Sequence, residues 1–230
     1  MNGHVFRGVR LVALFLLVAG SALAEGEVGR EIRESSPAAG IVRVEIEIPI
    51  AELRIENATG STIDVSGTIR QKYSKRDDRS WAEAVVQSTR IVMEQRGDRI
   101  VVRRVQGPEA DSWKAKKSPA NIRAVVAVPA GMAIEVEQSI GEIEIDGSFG
   151  EIDVELNIGD LTIRTARENV RQLTARVGIG EVHANLGDRI ITKEGLFAGE
   201  TLWSNDGGRH RLRADVRIGS IRIELQRQGI

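Results

Sequence analysis

The sequence predicts an all-β protein, specifically a parallel β-solenoid with about 20 residues per coil and one short helix near residues 81–88. Only 3% of the 230 residues are aromatic, so the core has to be aliphatic. Isoleucine and valine alternate with charged residues over many short segments, which is the period of a half-buried strand. The pattern apolar-Gly-acid-apolar-x-apolar also recurs about every ten residues, and short repeats of this kind are typical of solenoids.

Residues 1–24 have the features of a secretory signal peptide. Arg7 and Arg10 supply the positive start, and residues 11–20 form an apolar run that is too short to span a bilayer. Ala22-Leu23-Ala24 then supplies a cleavage site made of small residues. The mature protein is therefore expected to be exported, to the periplasm or to the cell surface and the extracellular space, without a transmembrane segment.

Composition excludes several classes of function. The chain contains no cysteine, which excludes disulfides, thiolate metal sites, cysteine catalysis and lipid attachment to a cysteine. After signal removal 30 basic and 33 acidic side chains would remain. Binding to nucleic acid requires a concentrated basic patch, so nucleic acid is not expected among the partners.

The mature chain is expected to start with a flexible lead-in at 25–39, because this segment is polar and rich in serine and glycine. A single β-solenoid domain is predicted at 40–230. Its part at 40–130 is irregular, with a helix and a hairpin, and its part at 131–230 consists of regular repeats.

Two local signals lie in the irregular part. Ser80 and Glu83 have the spacing of a capping box, which predicts the start of the short helix. The turn Arg96-Gly97-Asp98 separates two apolar segments and predicts a β-hairpin. These three letters also spell a cell-attachment tripeptide, but Gly-Asp is ordinary turn chemistry.

Clear copies of the repeated pattern begin at Ile140, Phe149, Ile158, Ile179 and Ile218. Glycine tolerates positive φ and permits a sharp corner in each copy. With that corner, the residue before the glycine and the apolar residue two positions after it are both expected to face the core. Two copies form one coil, and stacked coils pair their strands in parallel. An antiparallel β-sandwich is the alternative, since both folds use strands of this length.

At these copies the sequence resembles the bacterial putative-adhesin family, a group of exported domains of unknown function. The segment Ile50-Ala51-Glu52-Leu53-Arg54-Ile55 is a looser copy, with alanine in place of glycine. The resemblance covers most of the mature chain and is strongest from Ala133 onward. It implies a β-solenoid in the cell envelope, and it supplies no catalytic residue to carry over.

A carboxylate follows the corner glycine in alternate copies, and stacking predicts a ladder of Glu142, Asp160, Glu181 and Glu200, followed by Ser220. Unpaired like charges at strand spacing repel one another. Ca²⁺ would relieve this repulsion, because it prefers clustered oxygen ligands. Solvation of each carboxylate, or pairing with a neighbouring arginine, is the alternative; the calcium-binding nonapeptide pattern requires further glycines that are missing here.

A second candidate site lies on the predicted loop at 106–119. Trp113 stands there beside Lys114, Lys116 and Lys117, and an aromatic residue among lysines on a loop is a candidate contact surface. Charge is also uneven along the repeats, with acids concentrated at 142–160 and arginines at 209–227. Regions of opposite charge would favour self-association or binding of a partner.

The predicted function is non-catalytic binding or scaffolding in the cell envelope, with an envelope protein or a polysaccharide as partner and without a cofactor other than Ca²⁺. His183 and His210 lie near no nucleophile motif and have no metal-ligand spacing. A carbohydrate-active enzyme on a β-helix is one alternative, because paired carboxylates can cleave glycosidic bonds. An accessory of envelope-stress regulation is the other.

Overall fold

The computed structural model describes residues 26–74, 78–108 and 119–226, which contain twelve strands and one α-helix. The N-terminal elements are β1 (Gly26–Pro37), β2 (Arg43–Glu47), β3 (Ile50–Asn57), β4 (Thr62–Tyr73), α1 (Arg79–Ser88), β5 (Thr89–Arg96), β6 (Arg99–Gln106) and β7 (Asn121–Val128). The C-terminal strands are longer: β8 (Ala133–Asp146), β9 (Ile152–Ala166), β10 (Val170–Asn185), β11 (Ile190–Ser204) and β12 (His210–Gln226). The all-β class and the short helix are thus confirmed. The predicted signal peptide at 1–24 lies outside the described residues.

The predicted parallel solenoid is wrong, because the twelve strands form one open sheet of mixed direction. Its main path runs β1-β4-β7-β3-β8-β9-β12-β10-β11, and β2 joins β8 to the β6-β5 hairpin. Pairs β1-β4, β4-β7, β5-β6 and β10-β11 are antiparallel. The arrangement is closer to the sandwich alternative, although β3, β8, β9, β12 and β10 pair in parallel.

The order of the last strands explains why successive coils do not stack. A tight turn after β10 reverses the chain: Leu186 N donates to the Arg189 carbonyl at 2.9 Å, and Gly187 has a φ of +85°. Strand β11 therefore pairs antiparallel with β10. Strand β12 then enters between β9 and β10 and is parallel to both. A winding chain would have stacked β10 directly on β9.

Strands β8, β9, β10 and β12 each change the face that they bury part of the way along. In β8, Ile134, Val136 and Gln138 are buried before the change, and Ile143 and Ile145 are buried after it. We call the residues before the change the first half-sheet, which also contains β2 and β6. Those after it form the second half-sheet, with β3, β7 and β4. Buried side chains from both half-sheets belong to one aliphatic cluster.

Glycines stand side by side just after this change of face. Four glycines with φ between +137° and +141° are in-register neighbours: Gly141, Gly159, Gly219 and Gly180. A Cβ on Gly159 would lie 1.8 Å from the carbonyl oxygen of Gly141. Only glycine lets neighbouring backbones approach this closely, so the repeated glycine is a packing requirement.

Helix α1 packs against β1 and β4 at the N-terminal end of the sheet. The helix buries Ala82, Val85 and Val86. The segment expected to be a flexible lead-in contains strand β1, because Gly26–Pro37 pairs along its length with β4. The predicted hairpin is confirmed by β5 and β6, whereas the capping box is wrong: Glu83 accepts a hydrogen bond from Arg79 at 2.9 Å, and the helix N-cap is Asp78. Among the described residues no helix has both the length and the apolar character needed to cross a bilayer.

Candidate binding surface

Four isoleucines project into solvent in one row across the outer surface of the sheet. Ile140, Ile158, Ile218 and Ile179 are in-register neighbours on β8, β9, β12 and β10, and 40–46% of each is exposed. At a strand spacing of about 4.8 Å this isoleucine row is about 14 Å long. The expectation that these residues face the core is wrong.

The reason lies two residues before each glycine. Strands β8 and β9 pair Gln138 with Leu156 and then Ile140 with Ile158, so the residues between them have no partner in the register. The buried face changes at this unpaired position, two residues before the glycine at which the sequence pattern places the change. The isoleucine before the glycine consequently points away from the core.

A row of acidic side chains runs beside the isoleucine row, two residues further along each strand. Glu142, Asp160, Ser220 and Glu181 are in-register neighbours, and this acid row contains three of the predicted ladder residues. Ser220 stands between the last two carboxylates. Its Oγ and its backbone N–H both donate to Asp160 Oδ1, at 2.6 and 3.2 Å. Asp160 thus has two hydrogen-bond donors in Ser220. Glu142 and Glu181, by contrast, form no ion pair with any described residue.

The structure does not place Glu200 in the acid row. Glu200 lies on the first half-sheet, where its Oε1 accepts from Arg176 Nη2 at 2.6 Å and from Nε at 3.0 Å. Glu194 stands next to Glu181 in its place, because the hairpin reverses the direction of β11. Within the described residues no three acidic or histidine side chains converge closely enough to hold a metal ion. Calcium binding stays a prediction from the sequence.

The acid row borders an open groove of about 710 Å³ on the outer surface of the second half-sheet. Arginines of this groove are held by glutamates. Arg123 donates to Glu52 at 3.2 Å, and Arg54 lies 3.6 Å from Glu144. The groove is lined by four arginines and four carboxylates, and of these carboxylates Glu142 and Asp160 form no ion pair with a described residue. Glu142 still interacts electrostatically with Arg123.

Charged side chains on the outer surface of the first half-sheet also pair among themselves. Arg43 lies 2.6 Å from Glu135, and Arg213 lies 3.2 Å from Glu155 and 2.5 Å from Asp215. Burial raises the pKa of Asp153, against the opposing effect of Arg213. This surface is therefore largely neutralised, and its described residues include no comparable row of exposed apolar side chains.

The remaining predicted residues do not extend the surface. Trp113, Lys114, Lys116 and Lys117 lie outside the described residues. His183 Nδ1 lies 3.3 Å from Thr192 Oγ1 on the neighbouring strand, and His210 starts β12.

The hairpin turn Arg96-Gly97-Asp98 lies on the surface with its arginine already paired. Arg96 Nη2 donates to Glu94 Oε2 at 2.9 Å. Arg103 donates to the other oxygen of the same carboxylate. Hydrogen bonds from Arg103 and then Arg96 lower the pKa of Glu94 from its ordinary 4.5 to about 2.

Glu94 is expected to remain ionised until the pH falls toward about 2, and a carboxyl-carbon NMR titration measures this directly. Since the pKa is lower in the folded chain than in the unfolded one, Glu94 stabilises the hairpin fully above the unfolded pKa. This contribution is lost as the pH falls through the folded value. Arg103→Gln should raise the pKa of Glu94 more than Arg96→Gln does. A wild-type titration near the ordinary value would contradict the pairing.

Sequence reasoning found the acid row in part and missed the isoleucine row. The spacing of the glycines located Glu142, Asp160 and Glu181. The sequence of a single strand does not show where its buried face changes. It therefore does not show whether an isoleucine near that point is buried or exposed. Glu194 was missed because its place beside Glu181 depends on the turn at 186–189. The segment Asn185-Leu186-Gly187-Asp188 has the composition of a turn and is the signal that could have located it.

No family model and no curated protein matches the chain. Among solved structures, a putative cell adhesion protein of Clostridium sporogenes is similar, with 13% identity, a TM-score of 0.48, and coverage of 86% of this chain and 100% of that one. A putative adhesin of Bacteroides fragilis has 8% identity and a TM-score of 0.28, covering 85% and 97%. A putative lipid binding protein of Parabacteroides distasonis has 12% identity and a TM-score of 0.24, covering 87% and 95%.

Proposed function

We propose that the protein is a non-catalytic binding protein of the cell envelope and that it binds a polypeptide partner through the isoleucine row and the acid row. The features of a signal peptide at residues 1–24 support the location in the envelope. The partner segment combines apolar side chains with lysine or arginine.

The observation that carries the proposal is the exposure of four isoleucines in register. Single exposed apolar residues are common on protein surfaces, but a contiguous row of them marks an interaction site more often than chance exposure does. Outward positions of alternating strands are usually polar. At the outward position before the glycine, however, four neighbouring strands carry isoleucine. Burial of these side chains by a partner would remove the cost of exposing them to water.

The acid row defines the chemistry of the partner. Glu142 and Glu181 form no ion pair with a described residue, and they stand two positions from Ile140 and Ile179 on the same outer surface. A partner segment that buries the isoleucines therefore brings its flanking groups next to these carboxylates. Positive groups are favoured there and negative groups are repelled.

Catalysis is not part of the proposal, because the charged side chains of the groove are engaged with one another. Glu144 contacts Arg54 and Arg164, and Arg164 also lies 3.4 Å from Glu224. Glu142 and Glu181, which form no ion pair with a described residue, are both exposed on the outer surface.

The test compares three fluorescent probes by anisotropy: a peptide of alternating leucine and lysine, a peptide in which glutamate replaces each lysine, and soluble peptidoglycan fragments. The full chain is expressed, and the protein is purified after its export. Wild type should bind the basic peptide most tightly. The double variant Ile158→Ser, Ile218→Ser should weaken this binding by about tenfold or more, as expected when two apolar side chains leave an interface. Glu142→Gln with Glu181→Gln should weaken it and flatten its dependence on salt.

Val42→Ser is the matched control, because Val42 is also an exposed apolar side chain, at 58%, but lies outside the row. This variant should bind like wild type. Equal affinity of the double serine variant and wild type would overturn the proposed surface. Equal binding of the acidic peptide would overturn the assigned chemistry, and binding of the peptidoglycan fragments alone would overturn a polypeptide partner.

A further inference from the structure

Strand β11 is an open edge of the sheet. It has fifteen residues and pairs on one side only, with β10. In an antiparallel pair every second residue directs its N–H and C=O groups away from the partner strand. The free side of β11 therefore presents backbone groups that can pair with another strand, although the Glu200 carbonyl already accepts from Lys193 Nζ of the same strand.

The opposite end of the main sheet path is closed. Strand β1 also pairs on one side only, with β4, but it is in contact with α1 and β5. Arg30 fastens this contact, since its Nη2 and Nε donate to the carbonyls of Thr89 and Val86 at 2.5 and 3.3 Å. These contacts leave β11 as the more accessible end of the main path. Pairing of β11 with β11 of a second copy closes after two chains instead of producing a filament.

The outward side chains of β11 match this geometry. Ile190 and Leu202 are the most exposed large apolar side chains of the described residues, at 63% and 60%. They lie near opposite ends of the strand and on the same outer surface, because they are an even number of residues apart. When two copies of such a strand run antiparallel across a two-fold axis, Ile190 of each copy can stand opposite Leu202 of the other.

This register also avoids unfavourable pairs. It places Ile191 opposite Thr201 and Thr192 opposite Glu200. Lys193 and Glu194 come to lie near the middle of the strand, where neither faces a like charge of the second copy. Like charges directly opposite one another destabilise a strand pair, whereas apolar pairs stabilise it.

We propose that the protein forms a two-fold symmetric dimer in which β11 of one copy pairs antiparallel with β11 of a second copy, with Ile190 opposite Leu202. The dimer does not depend on the proposed function, but it affects how a partner would bind. The isoleucine row ends at Ile179 on β10, directly beside β11, so the dimer brings the rows of both copies together on one continuous sheet. A partner with two binding segments would then gain affinity through avidity.

The experiment places charged residues on β11 and measures the mass of the resulting assembly. Native mass spectrometry and sedimentation velocity are used on protein purified after export. Wild type should have twice the mass of one chain. In a variant carrying Ile190→Lys and Leu202→Lys, a lysine of one copy would stand opposite a lysine of the other. This variant should be monomeric, with a dissociation constant raised by about a hundredfold or more. A second variant carrying Ile190→Glu and Leu202→Glu should also be monomeric. An equimolar mixture of the two should restore a dimer that contains one chain of each.

The matched control is Val42→Lys, which adds a charge at an exposed apolar position away from β11 and should remain dimeric. Recovery of the mixed dimer shows that both variants are folded and that positions 190 and 202 lie in the interface, because misfolded variants would not regain assembly on mixing. A monomeric wild type would overturn the proposal. So would a dimer that persists in both double variants, or two monomeric variants that fail to combine. A dimer that is lost in the Val42→Lys control would place the interface elsewhere.

Discussion

Replacing Gly159 with alanine is expected to abolish cooperative folding of the protein. A Cβ at this position would lie 1.8 Å from the carbonyl oxygen of Gly141 and 2.8 Å from its carbonyl carbon. The φ of Gly159 is +141°, a conformation that residues with a side chain rarely adopt. Both costs apply together, and we expect a loss of about 4 kcal/mol or more, which is close to the total stability of many domains.

The surrounding sheet leaves little room for relaxation at Gly159. Strands β8 and β12 flank β9 on its two sides in parallel register, so a shift away from Gly141 drives the backbone toward Gly219. That contact is equally close, because a Cβ on Gly219 would lie 1.7 Å from the Gly159 carbonyl oxygen. A shift of one strand therefore has to propagate along the whole row of glycines.

Urea unfolding followed by circular dichroism measures the effect, and Gly131→Ala is the matched control. Gly131 also has a positive φ, +84°, but no atom lies within 4 Å of the position its Cβ would take. The control should cost about 1–2 kcal/mol from backbone strain alone. If both substitutions cost the same, close packing of the backbones is not what requires the glycine row.

The sequence was sufficient to predict the class of the fold and several of its elements. Alternation located most strands, and the two apolar segments around Gly97 located the β5-β6 hairpin. These are local signals, since a strand period or a turn is encoded within a few residues. The helix was found for the same reason, although its first turn is held by Arg79 and Glu83 instead of a capping box.

The order of the strands could not be predicted in this way. The repeated pattern is the same in β9, β10 and β12, so any of the three is equally suited to stack on any other. The turn at Leu186 and Gly187 decides the outcome by reversing the chain. Asn185 Oδ1 supports that turn by accepting from Gly187 N at 3.0 Å. One short local motif thus overrides the global preference of a long repeat.

The isoleucine row depended on an even finer detail. In β8, alternation counted forward from Ile134 places Ile140 inside, whereas alternation counted backward from Ile145 places it outside. Both patterns are present in the sequence, and the position of the change between them is visible only in the register, where residue 139 has no partner. The candidate surface therefore required the structure, while the acid row beside it did not.

Two isoleucines of β9 test this assignment, because the same substitution should have opposite consequences at the two positions. Ile163 is fully buried and Ile158 is 45% exposed. Ile163→Ala should lower the free energy of unfolding by about 2–5 kcal/mol, since it removes buried carbon atoms and leaves a cavity in an aliphatic core that has few large side chains to fill it. Ile158→Ala should change it by less than about 1 kcal/mol.

Urea denaturation of both variants under the same conditions measures the difference, and an unchanged slope with denaturant would show that both retain the wild-type fold. The two residues belong to one copy of the repeated pattern and to one strand, so propensity and local sequence are nearly matched between them. If the buried face changed at Gly159 itself, as the pattern indicates, Ile158 would also face the core and both substitutions would be costly. A large loss for Ile163→Ala alone requires the change to precede Ile158, and it is this displacement that leaves the isoleucine row exposed for a partner.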